Sequence, residues 1–176
     1  WKGNYHPFAY KYEGFIKDYS YGVDKFGHFY ISYFCTEMLY DVMKWGGYSD
    51  NVSLLYSAAI PALYALSVEI ADGYSTYYFA PDDLAANLLG IGYSTLQHKV
   101  PFFRNFNVKW SFWPTPAYSR SKKWSFTEDY NGHIYWMSTN VNGLLPPSAK
   151  RYWPRFLNIA VGYGASNVSF GDRGPK

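Results

Sequence analysis

The sequence predicts a mainly α chain: a compact helical domain of about three hydrophobic helices, then a small aromatic region of strand, loop and helix. Three observations predict it. Long apolar stretches end at strong helix stops, Gly46-Gly47 and Gly73. Polar residues inside those stretches recur at helical spacing, with Asp24 and His28 at i, i+4, Glu69 and Asp72 at i, i+3, and Asp83, Asn87 and Gly90 at i, i+4, i+7. Beyond residue 105 the apolar pattern switches to period two.

Residues 1–22 are rich in Tyr and Gly and carry no period, so they read as an extended arm. The first helix is expected from near Asp24, which could cap it, to about Lys44. The second starts near Asp50 or Ser53 and runs to Asp72, with Pro61 expected to kink it. Pro81-Asp82-Asp83 opens the third, proline in its first turn and acids matching the helix dipole, and it continues to about His98. Phe106, Val108, Trp110 and Phe112 alternate with polar residues as in a half-buried strand. Ser125-Phe126-Thr127-Glu128 matches a capping box, and Tyr130, Ile134, Met137 and Val141 behind it form a helical stripe. Residues 157–163 fit a strand or a short helix opened by Pro154, and Gly171 to Lys176 read as a disordered tail. No repeat or long linker divides the chain. It reads as one domain over 1–176, with an arm at 1–22, a helical core at 23–100, an aromatic region at 101–165 and a flexible tail at 166–176.

Composition narrows the function. Charged residues make up 16% of the chain, against roughly 25% in ordinary soluble domains, while aromatics reach 23%, with 20 Tyr and 7 Trp. Tyr and Trp pair an apolar body with a polar tip, which suits membrane interfaces and binding surfaces. A net charge of +3 with no basic run beyond Lys122-Lys123 argues against nucleic acid as a partner. The segment 52–71 is nearly long and apolar enough to span a bilayer, but it holds Pro61 and Glu69, and a mean hydropathy of −0.29 argues against an ordinary multispanning protein. Membrane association with membrane lipid is therefore expected, complete spanning is not. Cys35, the only cysteine, excludes an internal disulfide and reads as a buried, inert thiol. The chain starts at Trp1 without a basic-then-apolar leader, which reads as a leader removed or never present.

Burying polar groups in apolar helices costs several kcal/mol unless they are paired. His28, Glu69, Asp72 and Asp83 are therefore the candidate catalytic residues, with Lys25 and Asn87 as binding residues beside them. A neutral imidazole with carboxylates suits Zn, Mn or Fe. No HExxH-like spacing occurs, so the sequence names no metal and no cofactor. His28 or Glu69 could instead serve as a general base, with Lys25 facing a phosphate. No G-x-S-x-G and no P-loop is present. The bland alternative is a polar network that locks three helices, with Lys25 pairing Glu69 or Asp72, Asn87 bridging two backbones and Gly90 allowing close approach. Asp82 reads as a helix-start acid, and His6 and His98 as exposed or interfacial. Trp110 and Trp136 are candidate binding residues for a lipid or glycan, or anchors of a protein interface.

The motifs Asp24-Lys25…His28, Glu69…Asp72 and Asp83…Asn87…Gly90 resemble those of the YfiM-like family of predicted bacterial periplasmic or outer-membrane lipoproteins. Lys109-Trp110-Ser111-Phe112-Trp113-Pro114-Thr115, Asp129-Tyr130-Asn131-Gly132 through Ser138, and Trp153-Pro154-Arg155-Phe156 through Gly164 are similar to its Bacteroidetes branch. The helical part also resembles, more distantly, the VanZ-like membrane proteins, which usually carry glutamine at the position of Asp72. The resemblance implies a bacterial cell-envelope location, at the periplasmic face of the outer membrane or embedded in it, and no particular reaction. The expected function is an accessory subunit packing against a larger outer-membrane protein assembly. Two alternatives stand beside it: a hydrolase or transferase acting on a lipid-linked or cell-wall substrate, and a lipid- or glycan-binding module.

Overall fold

In a computed structural model that describes residues 5–16, 18–120 and 126–168, three long helices form first: α1 (Val23–Trp45), α2 (Asp50–Asp72) and α3 (Pro81–Lys99). Their limits lie within a residue or so of the glycine and proline signals. α2 runs through Pro61 as one helix. α1 is not capped by Asp24: Gly22, at φ 81°, precedes it, and the Ser20 hydroxyl accepts from the Asp24 N–H at 3.0 Å. The glycine is required there, because a Cβ would lie 2.6 Å from the Phe15 carbonyl oxygen as well as at a strained φ.

A three-stranded antiparallel sheet follows, in the order β1 (Phe106–Phe112), β2 (His133–Thr139), β3 (Ile159–Tyr163). This corrects the mainly α expectation: among the described residues the architecture is mixed, three long and three short helices with a three-stranded sheet packed on α1. The stripe Tyr130, Ile134, Met137 and Val141 is not a helix. Its central residues lie in β2, where His133 and Tyr135 turn inward and Ile134 outward, and β-favouring Ile, Tyr, Trp and Thr dominate. The apolar positions match a 3.6 period and a broken 2 period equally, and pairing with β1 on one side and β3 on the other decides between them. The proposed cap at Ser125 and the tail from Gly171 lie outside the described residues.

The sheet lays its Trp110–Tyr135 face on α1, with Tyr30 6.0 Å from Trp110 and Phe26 6.1 Å from Tyr135 between ring centres. Trp136 lies on the opposite face, opposite Lys109 and against Gly162, and its indole donates to the Ser111 hydroxyl at 2.9 Å. The arm runs beside the α2–α3 connection, pairing Tyr10 with Phe79. This contact brings Glu13 to the helices.

Small and polar residues fill much of the helix interfaces beside buried Tyr33, Leu54 and Ile91, while many large apolar residues lie outside. Ser32, Thr36, Ser53, Ser57, Asn87 and Ser94 are buried; Leu55, Leu63, Tyr64 and Leu89 are exposed. This reverses the usual soluble pattern and matches the packing of helices in lipid, where small residues allow close approach. Gly90 marks the tightest point, since a Cβ there would collide with the Phe29 carbonyl of α1. Gly90→Ala is expected to lose about 1–3 kcal/mol or more through forced separation of α1 and α3. Thermal unfolding followed by circular dichroism tests this, and an unchanged Tm contradicts it.

Candidate functional site

α1, α3 and the arm meet around one buried cation. Lys25 is 3% exposed, and its Nζ lies 2.5 Å from Asp83 Oδ1, 3.3 Å from Asp24 Oδ2, and 3.4 Å from both Glu13 Oε2 and Asp82 Oδ2. Burial alone would lower the Lys25 ammonium, but the Asp24, Asp83 and Asp82 charges outweigh it and hold its pKa above the ordinary lysine range. Four carboxylates around one ammonium leave the cluster acidic. Lys25 does not pair with Glu69 or Asp72, as the sequence had suggested.

Three of the four expected catalytic residues line the same polar pocket as Asp83, which completes the set: His28, Glu69 and Asp72 enclose with it a volume of about 140 Å³, joined by Glu13, Tyr19, Asp24 and Tyr130. α1 presents Asp24 and His28 one turn apart, and α3 presents Asp83 and Asn87 one turn apart. The Ser32 hydroxyl donates to Asn87 Oδ1 at 2.7 Å, which turns the Asn87 amide N–H onto His28 Nδ1 at 3.2 Å. Nδ1 therefore accepts and Nε2 carries the ring hydrogen. That hydrogen faces Asp83 Oδ1 at 3.9 Å and Asp24 Oδ2 at 4.0 Å, too far for a direct hydrogen bond. The gap suits a substrate or water oxygen. Asn87 thus positions the imidazole through side chains rather than bridging backbones.

Two carboxyls in this pocket titrate near neutrality. Burial raises the Glu69 carboxyl to about 7, with Asp83 and Asp72 adding to the effect and the Ala80 N–H, 3.1 Å from Oε2, opposing it. Burial also raises Asp83 to about 6, with Asp24 adding and His28 and Lys25 opposing. Asp72 additionally holds the turn after α2, accepting from the Ser75 hydroxyl through its carbonyl at 3.1 Å and its side chain at 3.4 Å.

Asp24, His28 and Asp83 each bring a ligand atom to within 4.8 Å of the others. Chemistry weighs against a metal here. The Lys25 ammonium already supplies the positive charge among these carboxylates, and the hydrogen on Nε2 removes the lone pair a metal would need.

The sequence reading missed Asp82, Glu13, Tyr19 and Tyr130. Asp82 is no simple helix-start acid, because its side chain is fully buried against Lys25. Tyr130 donates to Asp24 Oδ1 at 2.8 Å and lies 2.9 Å from the Tyr19 hydroxyl; burial, then Asp24, raises its pKa far above the ordinary range. The signal for Tyr130 was its place in the Asp129–Gly132 block. There Asp129 accepts from the Thr115 N–H and hydroxyl at 2.8 and 3.0 Å, and Asn131 exchanges two 2.8 Å bonds with Val168. Glu13 carries no sequence signal.

Of the aromatic candidates, Trp110 lines a cleft of about 270 Å³ between α1 and the sheet, together with His28, Tyr30 and His133. Its indole donates to His133 Nδ1 at 2.8 Å, and burial lowers the pKa of His133. Trp136 is not part of that cleft. Nor is His98 exposed: its Nε2 lies 3.2 Å from Glu37 and its ring 3.8 Å from that of Tyr40.

Glu69 gives the protein a pH dependence. Its carboxyl titrates near 7 folded and near 4.5 when free, so between those values the folded chain holds the extra proton. The stability this group leaves intact below about pH 4.5 is lost as pH rises through about 7. Glu69→Gln keeps an acceptor for Ala80 and removes this slope, so at pH 8 it is expected to exceed the parent by up to ~3 kcal/mol. Urea unfolding at pH 5 and pH 8 tests this, and a variant less stable than the parent at pH 8 contradicts it.

No curated protein and no solved structure matches the chain. Residues 13–99, from Glu13 of the acidic cluster to the last residue of α3, match the family DUF2279, described as a predicted periplasmic lipoprotein, which supports a lipoprotein family and a cell-envelope location.

Proposed function

We propose that this chain is a cell-envelope hydrolase or transferase acting on a lipid-linked substrate through Asp83, Glu69 and His28. The convergence of these three side chains, from three different helices, on one polar pocket carries the reading. Asp83, the more acidic of the two raised carboxyls, takes the proton of the attacking hydroxyl. Glu69, still protonated just below pH 7, returns one to the leaving oxygen through the carboxyl oxygen that Ala80 does not engage. The Nε2 hydrogen of His28, whose nitrogen lies 3.9 Å from Asp83 Oδ1 and 4.0 Å from Asp24 Oδ2, stabilises the negative charge that develops in the pocket. Activity is expected to rise through about pH 6 and fall through about pH 7. Complementation of a chromosomal deletion tests the role of the site. Asp83→Asn and His28→Ala are expected to fold and to fail; full complementation by both overturns the reading.

One observation favours a second reading, that the chain is an accessory subunit of an outer-membrane assembly. α2 is long and apolar enough by length and composition to cross a membrane, and only 28% of its most apolar window is buried. Such a surface suits lipid or a protein partner. Purification at native expression in mild detergent tests it: stoichiometric outer-membrane proteins support the subunit role, and elution alone contradicts it.

A further inference from the structure

His28 and Glu69 close the polar pocket on one side and also form the inner end of a second cavity, a groove of about 330 Å³ between α1 and α2. Away from these two residues and Ser32 and Asn87 beside them, the groove walls are apolar and largely aliphatic. Ile31, Cys35 and Met38 come from one turn after another of α1, and Ile60, Tyr64 and Val68 from successive turns of α2. The outer rim is open, since Ile31, Met38, Ile60 and Tyr64 are each about half exposed or more. The wall from α2 belongs to the helix whose apolar surface is mostly uncovered. One continuous site thus changes from apolar to acidic along its length.

We infer that the substrate is a single-chain amphiphile whose hydrocarbon chain lies in the α1–α2 groove and whose polar end reaches His28 and Asp83. The inference rests on the hydrolase or transferase reading and specifies its substrate class. Charge complementarity selects the polar end. Glu13, Asp24, Asp82 and Asp83 still outnumber the two ammonium groups beside them, Lys25 and the Lys11 that pairs with Glu13 at 3.4 Å, so the pocket disfavours a bare phosphate and accepts the hydroxyls and ester of an uncharged head group. The aromatic cleft beside the sheet also reaches His28, but its planar walls of Tyr30, Trp110 and Tyr135 suit a ring better than a flexible chain.

A monoacylglycerol carrying a diazirine in its acyl chain tests this by photolabelling the purified protein and mapping the adducts by mass spectrometry. Adducts are expected on Ile31, Met38 and Tyr64. Tyr64→Glu and Met38→Glu place a charge on the exposed rim and are expected to cut labelling about tenfold, with unchanged circular dichroism; two variants guard against a fold defect in either. A lysophosphatidic acid of the same chain is expected to label more weakly. Adducts spread over Leu55, Leu63 and Leu66 on the outer face of α2, or labelling unchanged in both variants, would overturn the inference in favour of general contact with a lipid surface. Asp83→Asn separates the two claims, because it removes the proposed base and leaves the groove walls unaltered, so its adducts are expected on the same groove residues while turnover is lost. Groove labelling without any turnover by the parent sinks the enzyme reading alone, and turnover with unchanged KM in Tyr64→Glu sinks the groove alone.

Discussion

Replacing Lys25 with methionine is expected to unfold the protein or to lower its stability by about 3–5 kcal/mol, the range for a buried pair deprived of one partner. The size follows from what remains. Asp24, Asp82, Asp83 and Glu13 all lie within 3.4 Å of the ammonium, and Asp82 has no solvent contact at all. Methionine fills much of the volume but leaves four carboxylates facing one another, of which Glu13 keeps Lys11 at 3.4 Å. The defect should be pH-dependent in a telling direction: burial already raises Asp83 to about 6 and the Lys25 charge opposes that rise, so Lys25→Met is expected to regain stability relative to the parent as acidification protonates Asp83. Urea unfolding of both proteins between pH 4 and pH 8 measures this. Equal stability at pH 8 would mean that the carboxylates are not held by Lys25.

Asp83→Asn and His28→Ala are expected to behave in the opposite way, folding well and losing at least about 100-fold in turnover, the usual effect of removing a group that transfers a proton or stabilises charge. Asparagine keeps an oxygen for the 2.5 Å contact with Lys25 and removes one charge from an overcrowded acidic cluster, so its structural effect is small. His28 is about a third exposed at the pocket rim, and among the described residues its one direct hydrogen bond is with Asn87. Chemistry that needs these groups and a fold that does not is the signature of a working site. If both variants unfold as Lys25→Met does, the polar set serves the helix packing alone.

The helical half of this arrangement was legible because local signals and tertiary contacts agree there. Gly46-Gly47, Gly73 and Pro81 bound the helices, and the i, i+4 and i, i+7 spacings put Asp24, His28, Asp83, Asn87 and Gly90 on the faces that meet. The partners of Lys25 were not legible, since Glu13 lies in an arm without periodicity and Asp82 carries the ordinary mark of a helix start. Three-dimensional closure decided both. β2 was misread because its apolar residues fit two periods, and only the strands on either side of it select one. The inversion of small polar residues inside and large apolar residues outside was half visible, as helices apolar on nearly every face.

Turnover of an envelope lipid extract is the decisive test of chemistry at Asp83, Glu69 and His28. Purified protein and its Asp83→Asn variant are incubated with the extract at pH 6.5 and the lipids compared by mass spectrometry. At least one single-chain amphiphile is expected to be consumed, with its product formed, by the parent and not by the variant. Identical lipid profiles for the two proteins would contradict it.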